Sequence, residues 1–252
     1  MSIPKIIHYC WFGGNPLPKS AIKCMNSWKK YCPDYKIMRW DESNFDVNIN
    51  EYCAEMYRQK RWAFLTDYVR LKVVYEYGGI YLDTDVELLK PLDPLLSNDA
   101  FMGFETTEKV ATGLGFGAGK GNWFVNKNMK YYENWNITDH IETCPIITTR
   151  LLEPYGMDCN STEVQVIEGV TIYPAEYFCA KHSHTGETHI TKNTYAVHHF
   201  DASWNTKEEK KKTEQRWKKY RMERIRNVPK RLLRKIVGDE NVDKIKKALN
   251  RK

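Results

Sequence analysis

An α/β sandwich built on a largely parallel central sheet is the fold this sequence predicts, and three observations carry it. Short apolar runs rich in β-branched and aromatic residues alternate with segments of helical periodicity. One helical segment, 62–77, ends on Gly78-Gly79 and leads directly into the apolar run 80–82. At 252 residues the chain has room for one large α/β domain or two small ones, with a core that needs no metal or disulfide staple.

The elements follow in order. Residues 5–11, Lys-Ile-Ile-His-Tyr-Cys-Trp, read as a strand that stops at the turn Phe12-Gly13-Gly14-Asn15-Pro16. Pro18 opens a helix in which Ile22, Met25 and Trp28 keep helical spacing until Cys32-Pro33-Asp34 ends it. Residues 36–40 form a second strand. From 62 to 77, Leu65, Val69, Val73 and Tyr77 recur at four-residue steps, and Gly78 stands where a left-handed cap is needed. The strand 80–82, the tripeptide Asp83-Thr84-Asp85 and a further apolar run 86–89 come next, with Pro91 and Pro94 as breakers. Further strands are expected at 100–105, 113–119, 164–167, 170–173 and 194–198, and helices at 122–132 and 146–155.

Charge divides the chain where hydropathy does not. Net charge is +7, yet residues 206–252 hold 19 Lys and Arg against 7 Asp and Glu, so that segment carries +12 and residues 1–205 carry −5. The expected organisation is therefore a catalytic domain at 1–205 and a basic helical tail at 206–252. In the tail Trp217, Tyr220, Ile225, Val228, Leu232 and Ile236 recur at roughly helical spacing among the basic residues, a pattern that reads as a membrane-surface helix. Nucleic-acid binding and packing on the main domain are its competing readings. Seven cysteines form no C-x-x-C pair, and the odd count fits reduced thiols in a cytoplasmic protein. The start at Met1 lacks a signal-peptide pattern, and no apolar run of about 18 residues reads as a membrane span.

Two carboxylates, Asp83 and Asp85, end a strand that a buried sheet should keep apolar. Their i, i+2 spacing directs both to one side, and Tyr81 to the same side. In open α/β sheets the crevice beyond the carboxyl ends of the strands is the ligand site, and paired acids there suit a divalent cation bridging phosphate oxygens. Asp-Thr-Asp is equally good turn chemistry. On the preceding helix Asp67 and Arg70 are three residues apart and share a face; an ordinary surface ion pair is the plain reading, worth about 0 to 1 kcal/mol.

The run Ala63-Phe64-Leu65-Thr66-Asp67-Tyr68-Val69-Arg70-Leu71, continued by Tyr75 to Asp85, closely resembles the signature of the Asp-X-Asp sugar-binding glycosyltransferases of family 32. These are related to the yeast initiating mannosyltransferase and the clostridial glucosylating toxins. Ile3 to Gly14 resembles the family's opening strand, and Ala196-Val197-His198-His199-Phe200-Asp201-Ala202-Ser203-Trp204 its closing His-x-x-x-x-Ser-Trp motif, so the resemblance spans residues 3–204. It implies a GT-A-like fold and a nucleoside diphosphate sugar donor, UDP-linked, with Mn²⁺ or Mg²⁺. It further implies that Asp85 ligates the metal, that Asp83 contacts donor sugar or ribose and assists the metal, and that Asp67 and Arg70 hold sugar hydroxyls. By the same resemblance Trp11 is expected to stack on the base, Ser203 and Trp204 to close over the diphosphate, and His198, or else His199, to complete the metal shell. The implied reaction is retaining transfer of a hexose to a glycan or lipid-linked acceptor, suited to bacterial surface-polysaccharide synthesis at the inner face of the membrane.

Two rivals are weaker. Haloacid-dehalogenase-type phosphatases also carry Asp-x-Asp after a strand, and Gly238-Asp239-Glu240-Asn241-Val242-Asp243 fits their late motif; Glu87, however, stands where their first motif has Thr or Val. A non-catalytic adaptor for membrane or nucleic acid is disfavoured by the joint presence of Asp67, Arg70, Asp83 and Asp85. The glycine run 113–121 fits neither dinucleotide nor P-loop spacing and reads as a strand that lets a sugar approach the backbone.

Overall fold

The computed structural model describes residues 2–105, 109–201 and 207–237, and of residues 207 and 225–237 the backbone path alone. The described elements are β1 (Ile6–Cys10), α1 (Lys19–Tyr31), β2 (Lys36–Trp40), α2 (Glu51–Arg58), α3 (Trp62–Tyr77), β3 (Gly79–Tyr81), β4 (Val86–Leu88), β5 (Ala100–Phe104), β6 (Val110–Ala111), β7 (Phe116–Ala118), α4 (Trp123–Glu133), α5 (Cys144–Leu152), β8 (Gln165–Ile167), β9 (Val170–Tyr173), α6 (Ala175–Phe178), β10 (Ala196–His198) and α7 (Lys207–Val237). The expected strands and helices stand close to where periodicity put them, while α2, β6 and α6 were not anticipated. Chain contacts divide the molecule into two units, Met1–His182 with Glu187–Trp204 and Ser183–Gly186 with Asn205–Lys252.

The first unit is an α/β domain around an eight-stranded sheet ordered β2-β1-β3-β7-β5-β9-β8, with β6 on β5. Strands β1, β2, β3, β5 and β9 share one direction; β6, β7 and β8 oppose it. The sheet is therefore largely parallel in strand direction and mixed in pairing. The reversed strand β7 at its centre joins two parallel sets, which periodicity could not reveal because β7 is three residues of Phe-Gly-Ala.

Helix α3 is buried on nearly every side, with Leu65, Tyr68, Val69, Leu71, Val73 and Val74 all in the core, and this explains why its apolar residues do not fall on one stripe. Tyr77, placed on that stripe by spacing, is exposed at the helix end. In α1 the buried positions are Ala21, Cys24 and Trp28, and Ile22 is exposed instead. Losing a fully buried indole such as Trp28 costs about 3–5 kcal/mol. Its Nε1 also donates to Val86 O at 2.8 Å, and Leu88 N–H donates to Ser27 Oγ at 2.8 Å, so α1 anchors β4.

The junction between α3 and β3 is built for glycine. Gly78 and Gly79 have φ of 67° and 112°, and a Cβ on Gly79 would meet Ile6 O at 2.8 Å. Neither constraint can be relieved by a side-chain shift, so a left-handed conformation and a close backbone approach both demand glycine here. Buried His8 braces the same junction. Trp40 Nε1–H donates to His8 Nδ1 at 3.1 Å, which leaves Nε2 to carry the ring proton and donate to Gly78 O at 2.8 Å. Burial pushes the His8 pKa down to about 4, so the ring stays neutral in that role.

The glycine run is corrected by the structure. Only Phe116–Ala118 within it is a strand, and the space opposite Gly117 is filled by the Phe101 ring, which a Cβ would meet at 2.5 Å. That glycine accommodates core packing rather than a sugar.

The second unit contains α7. Trp217 packs on the turn Ser183–Gly186, with its Nε1 donating to Ser183 O at 2.9 Å. No described helix is long and apolar enough to cross a membrane.

Candidate active site

Parallel pairing of β1 with β3, His8 opposite Tyr81, puts the carboxyl ends of both strands at one edge of the sheet. Trp11 leaves β1 there, its N–H donating to Trp40 O and its half-buried indole N–H to Asn15 O at 2.6 Å. Asp83 leaves β3 at the same edge, and Val86 N–H closes the Asp83-Thr84-Asp85 tripeptide as a turn by donating to Asp83 O at 3.0 Å. The turn chemistry and the paired carboxylates are thus features of one structure.

Helix α3 brings Asp67 and Arg70 up behind that turn, and neither is the surface pair that spacing allowed. Asp67 is 6% and Arg70 4% exposed. Arg70 lies 3.2 Å from Asp67 Oδ1 and 3.4 Å from Asp83 Oδ1, with Nε donating to Thr66 O at 3.1 Å. Its guanidinium also sits 5.0 Å from the centre of the Tyr81 ring. Tyr81 is buried, and its hydroxyl donates to Asp83 Oδ1 at 2.9 Å. One arginine therefore holds two carboxylates in place. Burial raises the Asp67 carboxyl to about 6 against the opposing pull of Arg70. Asp83 is raised as well, by burial first, with Arg70 opposing and Asp85 repulsion adding.

The distant histidines arrive through a second, two-stranded sheet. Antiparallel pairing of β10 with β4 sets His198 opposite Val86, and His199 N–H extends the ladder to Asp85 O at 3.0 Å. His198 Nε2 comes to 3.1 Å from Asp85 Oδ1, while His199 turns away to Glu87, 2.8 Å from Oε2. The Phe200 ring lies tilted against the His198 ring, their centres 4.3 Å apart, and the buried His198 Nδ1 has no hydrogen-bond partner among the described residues. Burial by itself lowers the ring's proton affinity, but the Asp85 carboxylate outweighs it and pushes the pKa up to about 9. Burial raises Asp85 in turn, and the charge and hydrogen bond of His198, with the Asp201 N–H at 2.9 Å from Oδ2, bring it down to about 2.

Asp83, Asp85 and His198 offer ligand atoms within 4.8 Å of one another, and they are the one such group among the described residues. Two hard carboxylates and one imidazole form a donor set that fits Mn²⁺ or Mg²⁺. Ser203 and Trp204 lie outside the described residues, as does the Gly238 to Asp243 motif. Trp11, Asp67, Arg70, Tyr81, Asp83, Asp85 and His198 are the proposed site residues that are described.

Three contributors were not anticipated. Gly113 backs the turn so closely that a Cβ would lie 2.6 Å from Asp83 Oδ2 and 3.2 Å from Arg70 Nη1. Glu87 takes up the second histidine, and the Asp201 N–H caps Asp85. For Glu87 the signal was present, as the one acid in an apolar strand; Gly113 and the backbone of Asp201 carry none.

The α/β domain thus sets paired acids at a strand end with a buried Asp-Arg pair behind them. Residues 18–102 match the family model described as glycosyltransferase sugar-binding region containing DXD motif. Through that region the chain is similar to the DXD sugar-binding glycosyltransferases. It is 33% identical over 132 residues to inositol phosphoceramide mannosyltransferase 3 of Schizosaccharomyces pombe, a match that takes in 49% of this chain and 35% of that one. To a mannosyl phosphorylinositol ceramide synthase of Saccharomyces cerevisiae it is 26% identical over 210 residues, 75% of this chain and 55% of that one. The matches thus span about a third to a half of the length of these relatives. Among solved structures, the PaToxG glycosyltransferase superposes with a TM-score of 0.47 at 18% identity, over 61% of this chain and 70% of that one.

Proposed function

We propose that this chain is a metal-dependent glycosyltransferase that moves a hexose from a nucleoside diphosphate sugar to a glycan or lipid-linked acceptor. The observation that carries the reading is the convergence of Asp83, Asp85 and His198 within 4.8 Å, in a chain that holds the DXD sugar-binding region. Those three residues would hold Mn²⁺ or Mg²⁺, which when bound neutralises the diphosphate as it leaves. Arg70 and Asp67 serve the donor sugar, and Arg70 with Tyr81 keeps Asp83 oriented. Trp11 offers its ring to the base, a contact worth about 1–3 kcal/mol when stacked. The resemblance assigns Ser203 and Trp204, which lie outside the described residues, to the diphosphate.

Retention of configuration follows from front-face transfer: the bond from the anomeric carbon to the diphosphate breaks, the acceptor oxygen bonds on the same face, and the diphosphate takes the acceptor's proton. Mannose leads the sugars to be tried because the relatives are named as mannosyltransferases; the donor reading remains UDP-linked, with GDP-linked sugars as the comparison. A bacterial surface polysaccharide is the proposed product. A cytoplasmic protein held at the inner membrane face by the basic segment 206–252 fits that role, and full-length protein is expected to sediment with anionic vesicles. Absence of any vesicle binding sinks that last point.

Purified protein should be given UDP- and GDP-linked hexoses with Mn²⁺, in parallel with a chelator arm. Hydrolysis or transfer of at least one donor is expected, and its loss with chelator. If no nucleotide sugar is bound or turned over, the transferase reading is wrong.

A further inference from the structure

The bend that carries His198 to Asp85 is held from its far side by a residue outside the recognised motifs. Lys181 Nζ donates to His199 O at 2.8 Å. The strap that bears Lys181 is itself pinned, by antiparallel bridges from Cys179 to Val197 and from Lys181 to Thr188. Beyond the lysine the chain returns to Asp85 twice, through His199 N–H to Asp85 O and Asp201 N–H to Asp85 Oδ2. Between those two contacts Phe200 stands at a φ of 57°. A bulky residue in that left-handed region persists only where its surroundings over-determine the backbone.

Lys181 is half-buried at this place. Burial lowers its pKa, and the nearby Asp201 and Asp85 carboxylates act against that by favouring the charged ammonium. A compact ammonium that donates to a carbonyl and is favoured by the charges of Asp201 and Asp85 can fix a backbone segment as a neutral donor of the same length cannot.

We propose that Lys181 is a positioning residue for the cation site: by holding the His199 carbonyl it locks the left-handed His199-Phe200-Asp201 bend, and so sets the His198 ring and the Asp85 carboxylate at ligating distance. The inference rests on the reading of Asp83, Asp85 and His198 as cation ligands. Its consequence has a sign that a simple charge effect does not share. Removing a positive charge beside a cation site tightens cation binding by relieving repulsion, whereas removing a group that orients the ligands weakens it, typically about 10- to 100-fold.

Mn²⁺ binding to the full chain, followed by the paramagnetic resonance of free Mn²⁺ with no donor present, separates the two. Lys181→Met and Lys181→Gln are each expected to bind Mn²⁺ about tenfold or more weakly than wild type. Lys181→Arg, which restores both charge and donor, is expected to recover most of the affinity. Melting curves on the same samples identify any variant that is not folded, and the other substitution then decides. Mn²⁺ binding by a folded Met or Gln variant that equals or exceeds wild type overturns the assignment. Wild-type Mn²⁺ binding that Asp85→Ala abolishes, alongside unchanged binding in the Lys181 variants, removes Lys181 alone. A wild-type protein that binds no Mn²⁺ removes the cation reading and this inference with it.

Discussion

Replacing Asp85 by alanine or asparagine is expected to abolish Mn²⁺ binding and to slow donor turnover by about 10³-fold or more, which corresponds to about 4 kcal/mol of lost transition-state stabilisation. The two substitutions are informative together. Asparagine keeps an acceptor for the Asp201 N–H, which the wild-type carboxylate holds at 2.9 Å, and removes only the charge that pairs with His198. Alanine removes both. Equal losses from the two identify the charge as the functional element, and turnover above about a tenth of wild type in either defeats the assignment of Asp85 as a ligand.

The same experiment has a pH arm. Because the His198 ring has its pKa pushed up to about 9 in the metal-free protein, a cation must displace its proton, and Mn²⁺ affinity is expected to rise with pH until about 9 and then level. Below that value the slope contributed by this one proton is about tenfold per pH unit. A titration in buffers of different ionisation enthalpy reads the released proton directly, and an affinity flat between pH 6 and 8, on the order of no change, contradicts the role given to His198.

Arg70→Met is expected to be the most destabilising of the site substitutions. The side chain is 4% exposed, and its loss leaves Asp67, at 6% exposure, and Asp83 without their shared counter-charge. Breaking a buried ion pair by removing one partner costs about 3–5 kcal/mol, and at about 2–4 °C per kcal/mol for a chain of this size the melting midpoint should fall by about 6–20 °C. The penalty should depend on pH in a definite direction. Asp67 already has its folded-state pKa raised to about 6 by burial, above its unfolded value, so it binds protons preferentially in the native state and opposes folding increasingly as pH rises through that range. Without Arg70 this grows, so the gap between variant and wild type is expected to be wider at pH 8 than at pH 5. Thermal melts at the two pH values check it; an equal or narrower gap at pH 8 is inconsistent with stranded carboxylates. Lysine at the same position keeps the charge but not the fork that reaches both acids, and is expected to recover only part of the loss.

Local patterns were legible wherever one residue's neighbours in sequence are also its neighbours in space. The four-residue steps of α3, the glycine pair behind it and the apolar run before Asp83 are of that kind, and together they place Asp67, Arg70 and the two acids in one crevice. Helices α2 and α6 escaped because they are eight and four residues long, too short for periodicity to separate from a loop. The burial of the Asp67 and Arg70 pair escaped for another reason. Three-residue spacing makes an ion pair but says nothing of whether the helix face it lies on meets water, and α3 meets water on almost none.

Chain order alone thus specified the α/β alternation, the acid pair at a strand end and the basic character of residues 206–252, all of which depend on contacts or composition within a few turns of chain. Folding made the choice between His198 and His199. Both were eligible by spacing, and the pairing of β4 with β10 brings both to this turn, where His198 Nε2 lies 3.1 Å from Asp85 Oδ1 while His199 Nε2 lies 2.8 Å from Glu87 Oε2. A pairing between segments more than a hundred residues apart leaves no trace in either segment's own pattern, and for the same reason Gly113 and Lys181 became visible as parts of the site only once the strands that carry Asp85 and His198 were side by side.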